Sequence, residues 1–209
     1  GDDIFVTNTR IFREAIARWV HRRFGHSFDP ATEVLPLLGS KEGLSHLPHA
    51  VINPGDVAIV PEPGYQAYIG GALLAGAEPH IVPLRPERDF LLELDDVPTA
   101  VLERARIVFV NYPNNPTAAV ATREYLERTV ATCRKHGILL AYDNAYCELT
   151  YDGYVAPSIF DIAGARDVAL AGRGHDRDLV VDGVEADSRP AHVVDDDRVD
   201  PLALELAAG

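Results

Sequence analysis

A chain of 209 residues with 47% apolar and 24% charged content lies in the ordinary globular range and can bury a full core, which predicts one large domain. Its formal net charge of −13, with no cluster of Lys and Arg, argues against a nucleic-acid partner, because a phosphate backbone is bound by concentrated positive charge. No apolar run approaches the roughly 20 residues that cross a bilayer, and the opening GDDIFVTNTR has neither a basic nor an apolar leader pattern, so no membrane partner and a cytoplasmic setting are expected.

Arg10 to Phe24 carries Phe12, Ala15, Ile16, Trp19 and Val20 at helical spacing and is followed by Gly25, which predicts an amphipathic helix. After the Asp29-Pro30 turn, Glu33 to Leu38 is a short apolar run, and Ser40 opens a second helix that closes at Asn53-Pro54-Gly55. Strands are expected at Val57 to Val60, Pro79 to Pro83, Arg106 to Val110 and Ile138 to Tyr142. Helices are expected between them, at Tyr65 to Ala75, Val97 to Arg104 and Thr122 to His136. The last two strands are nearly continuous apolar runs, the pattern of strands buried on both faces. This alternation predicts an α/β fold, a mainly parallel sheet with helices on both faces in three α/β/α layers.

Composition breaks late in the chain. All 16 aromatic residues lie at or before Phe160, whereas residues 171–209 hold ten Asp and Glu against four Arg. Three segments are expected: a divergent stretch over residues 1–9, a main portion over 10–165, and an acidic tail over 166–209 that, by this composition, packs weakly or is disordered, with residues 171–209 adding little to the core. Methionine is absent, so a processed or truncated chain is expected. Cys133 and Cys147 fit no metal or redox spacing and are expected to be reduced, packed thiols. His46 and His49 lie one helical turn apart without a third ligand, so no metal site is expected.

In a parallel sheet of this kind ligands bind beyond the carboxyl ends of the strands, which singles out four segments. Gly39-Ser40-Lys41 opens a helix whose free N–H groups favour an anion such as phosphate; a plain Ser N-cap with Glu42 in the first turn explains the same residues. Tyr65 follows a Pro-Gly turn and offers a flat face to an aromatic ring, or simply packs. Asn115 sits in the proline-flanked loop Asn114-Asn115-Pro116-Thr117, where Asn side chains either position a ligand or stabilise a turn. Asp143 ends a buried strand, a costly place for a carboxylate unless it meets a cation or hydrogen-bond donor, and it suits a protonated ring nitrogen. Tyr146, three residues on, can reach the same pocket.

Taken in order, Phe12 to Trp19, Leu37 to Gly43, Asn53 to Asp56, Pro63-Gly64-Tyr65, Asn111 to Thr117 and Tyr142 to Tyr146 resemble the class I/II, fold-type-I aminotransferases, in particular the branch of LL-diaminopimelate aminotransferase-like enzymes. The resemblance implies an incomplete large domain of that fold, with pyridoxal 5'-phosphate as cofactor. Ser40 and Lys41 would contact the phosphate, Tyr65 would stack on the ring, Asn115 and Tyr146 would bond its phenolic oxygen, and Asp143 would pair with its nitrogen. It further implies amino-group transfer between an amino acid and a 2-oxo acid, and a homodimer. A C–S lyase or cyclopropane-forming synthase on the same scaffold, or a non-catalytic cofactor-binding protein, are the alternatives.

Three departures stand out. Ala118 replaces the glycine usual after Asn-Pro-Thr, and the arm that precedes the first helix in the family is missing or replaced by residues 1–9. The Schiff-base lysine, expected on a strand after Asp143, has no counterpart: Lys41 and Lys135 are the chain's two lysines. No catalytic residue is therefore assigned, and the chain is expected to be catalytically impaired, its tail the product of a frameshift or truncation.

Overall fold

A computed structural model describes residues 3–173 and 178–181, with side-chain surroundings from residue 10 to residue 172. Seven strands form one sheet. They are β1 (Val34–Pro36), β2 (Val57–Glu62), β3 (Glu78–Pro83), β4 (Ala105–Asn111), β5 (Leu139–Asp143), β6 (Ala169–Arg173) and β7 (Asp178–Val181), in the spatial order β1-β7-β6-β5-β4-β2-β3. Pairings among β2 to β6 are parallel, and β7 alone runs antiparallel to both its neighbours, β6 and β1. The mainly parallel sheet is thus as expected.

The helices are α1 (Asp3–Phe24), α2 (Ser40–Val51), α3 (Gln66–Leu74), the four-residue α4 (Thr99–Leu102) and α5 (Arg123–His136). Side chains alternate across a strand, so each strand feeds two cores. Val108, Val110, Leu140 and Tyr142 pack with Ile16 and Val20 of α1 and Leu126 and Val130 of α5. Their neighbours Ile107, Phe109, Leu139 and Ala141 pack with Leu44 of α2 and Tyr68 and Ala72 of α3. The period of two therefore carries Asn111 and Asp143, the last residues of β4 and β5, onto the α2–α3 face. They lie directly opposite each other in register.

Helix boundaries follow local chemistry. In α5, Thr122 caps the first turn by accepting from the Tyr125 N–H, Arg134, Lys135 and His136 fill the last turn, and Gly137 ends it at φ 65°. The expected helix from Val97 to Arg104 is only α4, because Pro98 sets its start and residues 94–96 form a separate 3-10 turn. Close packing joins α2 to α3: a Cβ on Gly71 would lie 2.5 Å from the Ser45 carbonyl oxygen.

Two expected boundaries are corrected. The first helix begins at Asp3 rather than Arg10, so residues 3–9 are helical. The tail does not fall away at residue 166: Ala169 and Leu170 are buried and β6 pairs with β5, because Ala169-Leu170-Ala171-Gly172 is a run of small and apolar residues that a sheet interior accepts. Strand β7 then lies between β6 and β1. Residues 174–177 and 182–209, where most of the tail's acidic residues fall, are outside the described residues.

Candidate cofactor-binding site

The chain passes from β2 outward to β3 and then returns to place β4 on the other side of β2. A crevice at the carboxyl edge is expected where strand order reverses in this way, and the segments after β2, β4 and β5 border it. Strand β1 runs in the same direction as β6, since both are antiparallel to β7, so the start of α2 belongs to the same edge.

Asp143 is the most constrained residue there. It is 5% exposed. Its Oδ2 accepts from the Tyr68 hydroxyl at 2.5 Å, whereas Oδ1 is buried without a hydrogen-bond partner. Burial pushes its carboxyl pKa up to about 6, against the opposing pull of the Tyr68 hydroxyl and the nearby Ala145 N–H. An orphaned carboxylate oxygen at a strand end is a costly feature unless a donor arrives from outside the chain.

Asn111 links this carboxylate to the neighbouring loop. Its Nδ2 donates to the Asp143 carbonyl at 2.8 Å and its Oδ1 accepts from the Asn115 N–H at 3.0 Å. The loop is stiffened by Asn114, whose Nδ2 donates to the Asn111 carbonyl and whose Oδ1 accepts from both the N–H and the hydroxyl of Thr117. The turn-stabilising role considered for the asparagines thus belongs to Asn111 and Asn114. Asn115 is exposed, and its Nδ2 donates to the Tyr146 hydroxyl at 2.8 Å. The two residues expected to serve one oxygen of the ligand are thus joined to each other by a hydrogen bond.

Tyr65 stands just before α3, 43% exposed, with its ring edge-on to Tyr68 at 5.8 Å between centroids. Tyr68 in turn stacks on Phe109 at 4.7 Å. At α2 the cap is Gly39, at φ 104° and without a side-chain cap bond, so Ser40 is the first helical residue rather than the N-cap. Glu42 reaches back to the Leu38 N–H at 2.6 Å. Ser40 and exposed Lys41 begin a 12-residue helix at the edge, with the dipole polarity that suits an anion. Strand direction puts Ser40 and Lys41 at the carboxyl edge of the sheet, where β4 and β5 end, and α2 packs on α3 where Gly71 meets Ser45. Lys135 ends α5, just before β5 begins, and so lies at the opposite, amino edge of the sheet.

Sequence reasoning gave no role to Tyr68 or Asn111. Both were within reach: Tyr68 is one helical turn after Tyr65, and Asn111 closes a strand otherwise built of apolar residues after Arg106. Among the described residues, no cluster of three His, Cys, Asp or Glu side chains is arranged to hold a metal ion.

Ala118 takes φ 58°, in the left-handed region that glycine occupies without penalty. Ala118→Gly is expected to stabilise the chain by about 1 kcal/mol. Urea unfolding should show a raised midpoint; a lowered one would mean that the Ala118 methyl makes packing contacts worth more than the backbone strain.

Residues 7–183 match the family described as aminotransferase class I and II. The LL-diaminopimelate aminotransferase of Desulforudis audaxviator (strain MP104C) is 50% identical over 159 residues, which are 76% of this chain and 41% of that protein. The apo-BacF structure from Bacillus subtilis shares 33% identity at a TM-score of 0.80, over 85% of this chain and 47% of its own. A probable N-succinyldiaminopimelate aminotransferase from Thermus thermophilus shares 37% identity at a TM-score of 0.78, over 85% of this chain and 50% of its own. The chain thus spans about half or less of the length of these relatives. It belongs to the class I and II aminotransferase family.

Proposed function

We propose that this chain is the cofactor-binding half of a pyridoxal-phosphate-dependent aminotransferase of the LL-diaminopimelate type, and that the 209 residues by themselves bind the cofactor without covalent attachment and do not transaminate. Members of the family generally use pyridoxal phosphate. The observation that carries the reading is the buried, unpartnered Oδ1 of Asp143 beside the Asn115–Tyr146 pair.

In this reading Asp143 holds a proton on the ring nitrogen through a charge-assisted hydrogen bond. Asn115 and Tyr146 offer an N–H and a hydroxyl to the ring's phenolic oxygen, Tyr65 covers the ring with its exposed face, and the Ser40 and Lys41 N–H groups receive the phosphate. When bound, the cofactor supplies an electron sink for cleavage of the substrate Cα–H bond. Moving that proton requires an activated amine, and Lys41 and Lys135 are poorly suited: Lys41 is exposed in the phosphate turn and Lys135 is at the far edge.

The relatives named above include aminotransferases, which favours amino-group transfer over C–S cleavage or cyclopropane formation. The reading takes an amino acid and a 2-oxo acid as substrates, a second copy as partner and the cytoplasm as compartment. Exposed Leu73 and Leu74 on α3, 56% and 79% accessible, support a covering partner there. The net charge of −13 opposes nucleic-acid binding, and among the described residues no helix is long and apolar enough to cross a membrane.

Equilibrium dialysis tests the site. Saturable binding of one pyridoxal phosphate per chain is expected, weakened by Asn115→Ala by about 1 kcal/mol for one lost hydrogen bond. Unsaturable uptake, unchanged by that substitution, would sink the assignment.

A further inference from the structure

Tyr68 was not singled out by its sequence, yet its hydroxyl is the side-chain donor that meets the Asp143 carboxylate. Both ends of that contact are fixed. Tyr68 is 1% exposed, stacked on Phe109 with an interplanar angle of 11°, and carried by a helix whose Gly71 sits against the Ser45 backbone. Asp143 is held through its backbone carbonyl by Asn111.

We propose that Tyr68 is a positioning residue for Asp143: its hydroxyl occupies Oδ2, fixes the carboxylate plane, and leaves Oδ1 as the acceptor presented to a protonated heteroaromatic nitrogen. This rests on the reading that the pocket takes a pyridinium-bearing ligand. The chemistry of the donor matters. A Lys or Arg at this place would neutralise the carboxylate and compete with the ring for it. A phenol donates a hydrogen bond and adds no charge, so Asp143 is oriented while its negative charge remains available to the ligand. Burial, followed by the charge of Asp143, holds the Tyr68 hydroxyl protonated far beyond its ordinary range, so it stays a donor at every working pH.

The other groups around the carboxylate do not duplicate this role. Tyr142, on the same strand, turns its hydroxyl to the Tyr112 carbonyl on the other face. Tyr146 is engaged by Asn115, Tyr65 meets Tyr68 edge-on, and Asn111 bonds the Asp143 backbone rather than its carboxylate.

Tyr68→Phe tests the proposal, since it keeps the ring and its stacking on Phe109 and removes one oxygen. In the cofactor-free chain, the carboxyl carbon of Asp143, followed by NMR against pH, should titrate about one unit higher than in the parent, a tenfold gain in proton affinity from the lost hydrogen bond. Pyridoxal phosphate affinity, measured by dialysis, should fall about threefold more at pH 6.5, where roughly a quarter of the variant's Asp143 is ionised against three quarters of the parent's, than at pH 8.5, where the carboxylate is ionised in both proteins. In an Asp143→Asn background the same substitution should produce a much smaller loss, with no difference between the two pH values. A merely structural role predicts an unmoved Asp143 midpoint and an equal loss of affinity at both pH values; either result overturns the proposal. If the parent binds no pyridoxal phosphate, the functional reading falls, and the NMR midpoint still decides whether Tyr68 holds Asp143.

Discussion

Asp143→Asn should make the cofactor-free chain more stable at neutral pH and at the same time weaken pyridoxal phosphate binding about ten- to a hundredfold, the loss of one charge-assisted hydrogen bond. The carboxyl group has a pKa of about 6 in the folded chain, above its ordinary value of 3.8, because burial penalises its charge. The folded state therefore binds more protons than the unfolded state between roughly pH 4 and 6. The stability contributed by protonated Asp143 is fully present below about pH 4 and is lost as pH rises through about 6, a loss on the order of 3 kcal/mol by neutral pH. Asn removes the buried charge but brings an amide N–H in need of a partner, an offset of about 1 kcal/mol or more. A net gain of about 1–2 kcal/mol is expected at pH 7.5, shrinking toward zero or reversing near pH 4. Ligand binding moves the other way, because a neutral amide forfeits a charge-assisted hydrogen bond worth about 1.5–3 kcal/mol. Denaturant melts at pH 4.5 and 7.5, with dialysis on the same samples, measure both effects. Equal stabilities of variant and parent at both pH values would show that Asp143 carries no raised pKa.

The strands that position the site were legible because burial writes a strong signal. Ile107 to Val110 and Leu139 to Tyr142 are apolar on both faces, and the chemistry begins where that run stops, at Asn111 and Asp143. Strand β7 was illegible for the opposite reason. Only four residues long, Asp178 to Val181 lie in an Asp- and Arg-rich stretch and gain their place from pairing with β6 and β1, which sequence spacing does not record. Tyr68 and Asn111 were given no role because their bonds go to other residues of the candidate site, Asp143 and Asn115. Helix α3 is apolar nearly all round, so its pattern gave no hint that Tyr68 faces the sheet rather than Leu73 or Leu74. Ser40 was in view as a cap, but the backbone at Gly39 moved the cap one residue earlier.

The proposed cofactor binding without an anchoring amine leads to the second large effect. Strand β6 follows Asp143 in the sheet, and the sequence from its first residue to the end of β7, Ala169 to Val181, contains no lysine. Lys41 is exposed in the first turn of α2, and Lys135 closes α5 at the amino edge, a full strand length from Asp143. A covalent bond to the cofactor and proton transfer at the substrate's α-carbon both need an amine beside the ring. The chain should therefore hold pyridoxal phosphate by hydrogen bonds and charge alone, release it on dialysis, and show no measurable transfer of an amino group from any amino acid to a 2-oxo acid. The most direct measurement is borohydride reduction of the chain saturated with pyridoxal phosphate, followed by intact mass and peptide mapping alongside an amino-transfer assay. The expected result is an unmodified mass, cofactor recovered free, and no turnover; one reduced cofactor fixed on Lys41 or Lys135, with turnover of an amino acid by the same sample, would contradict it.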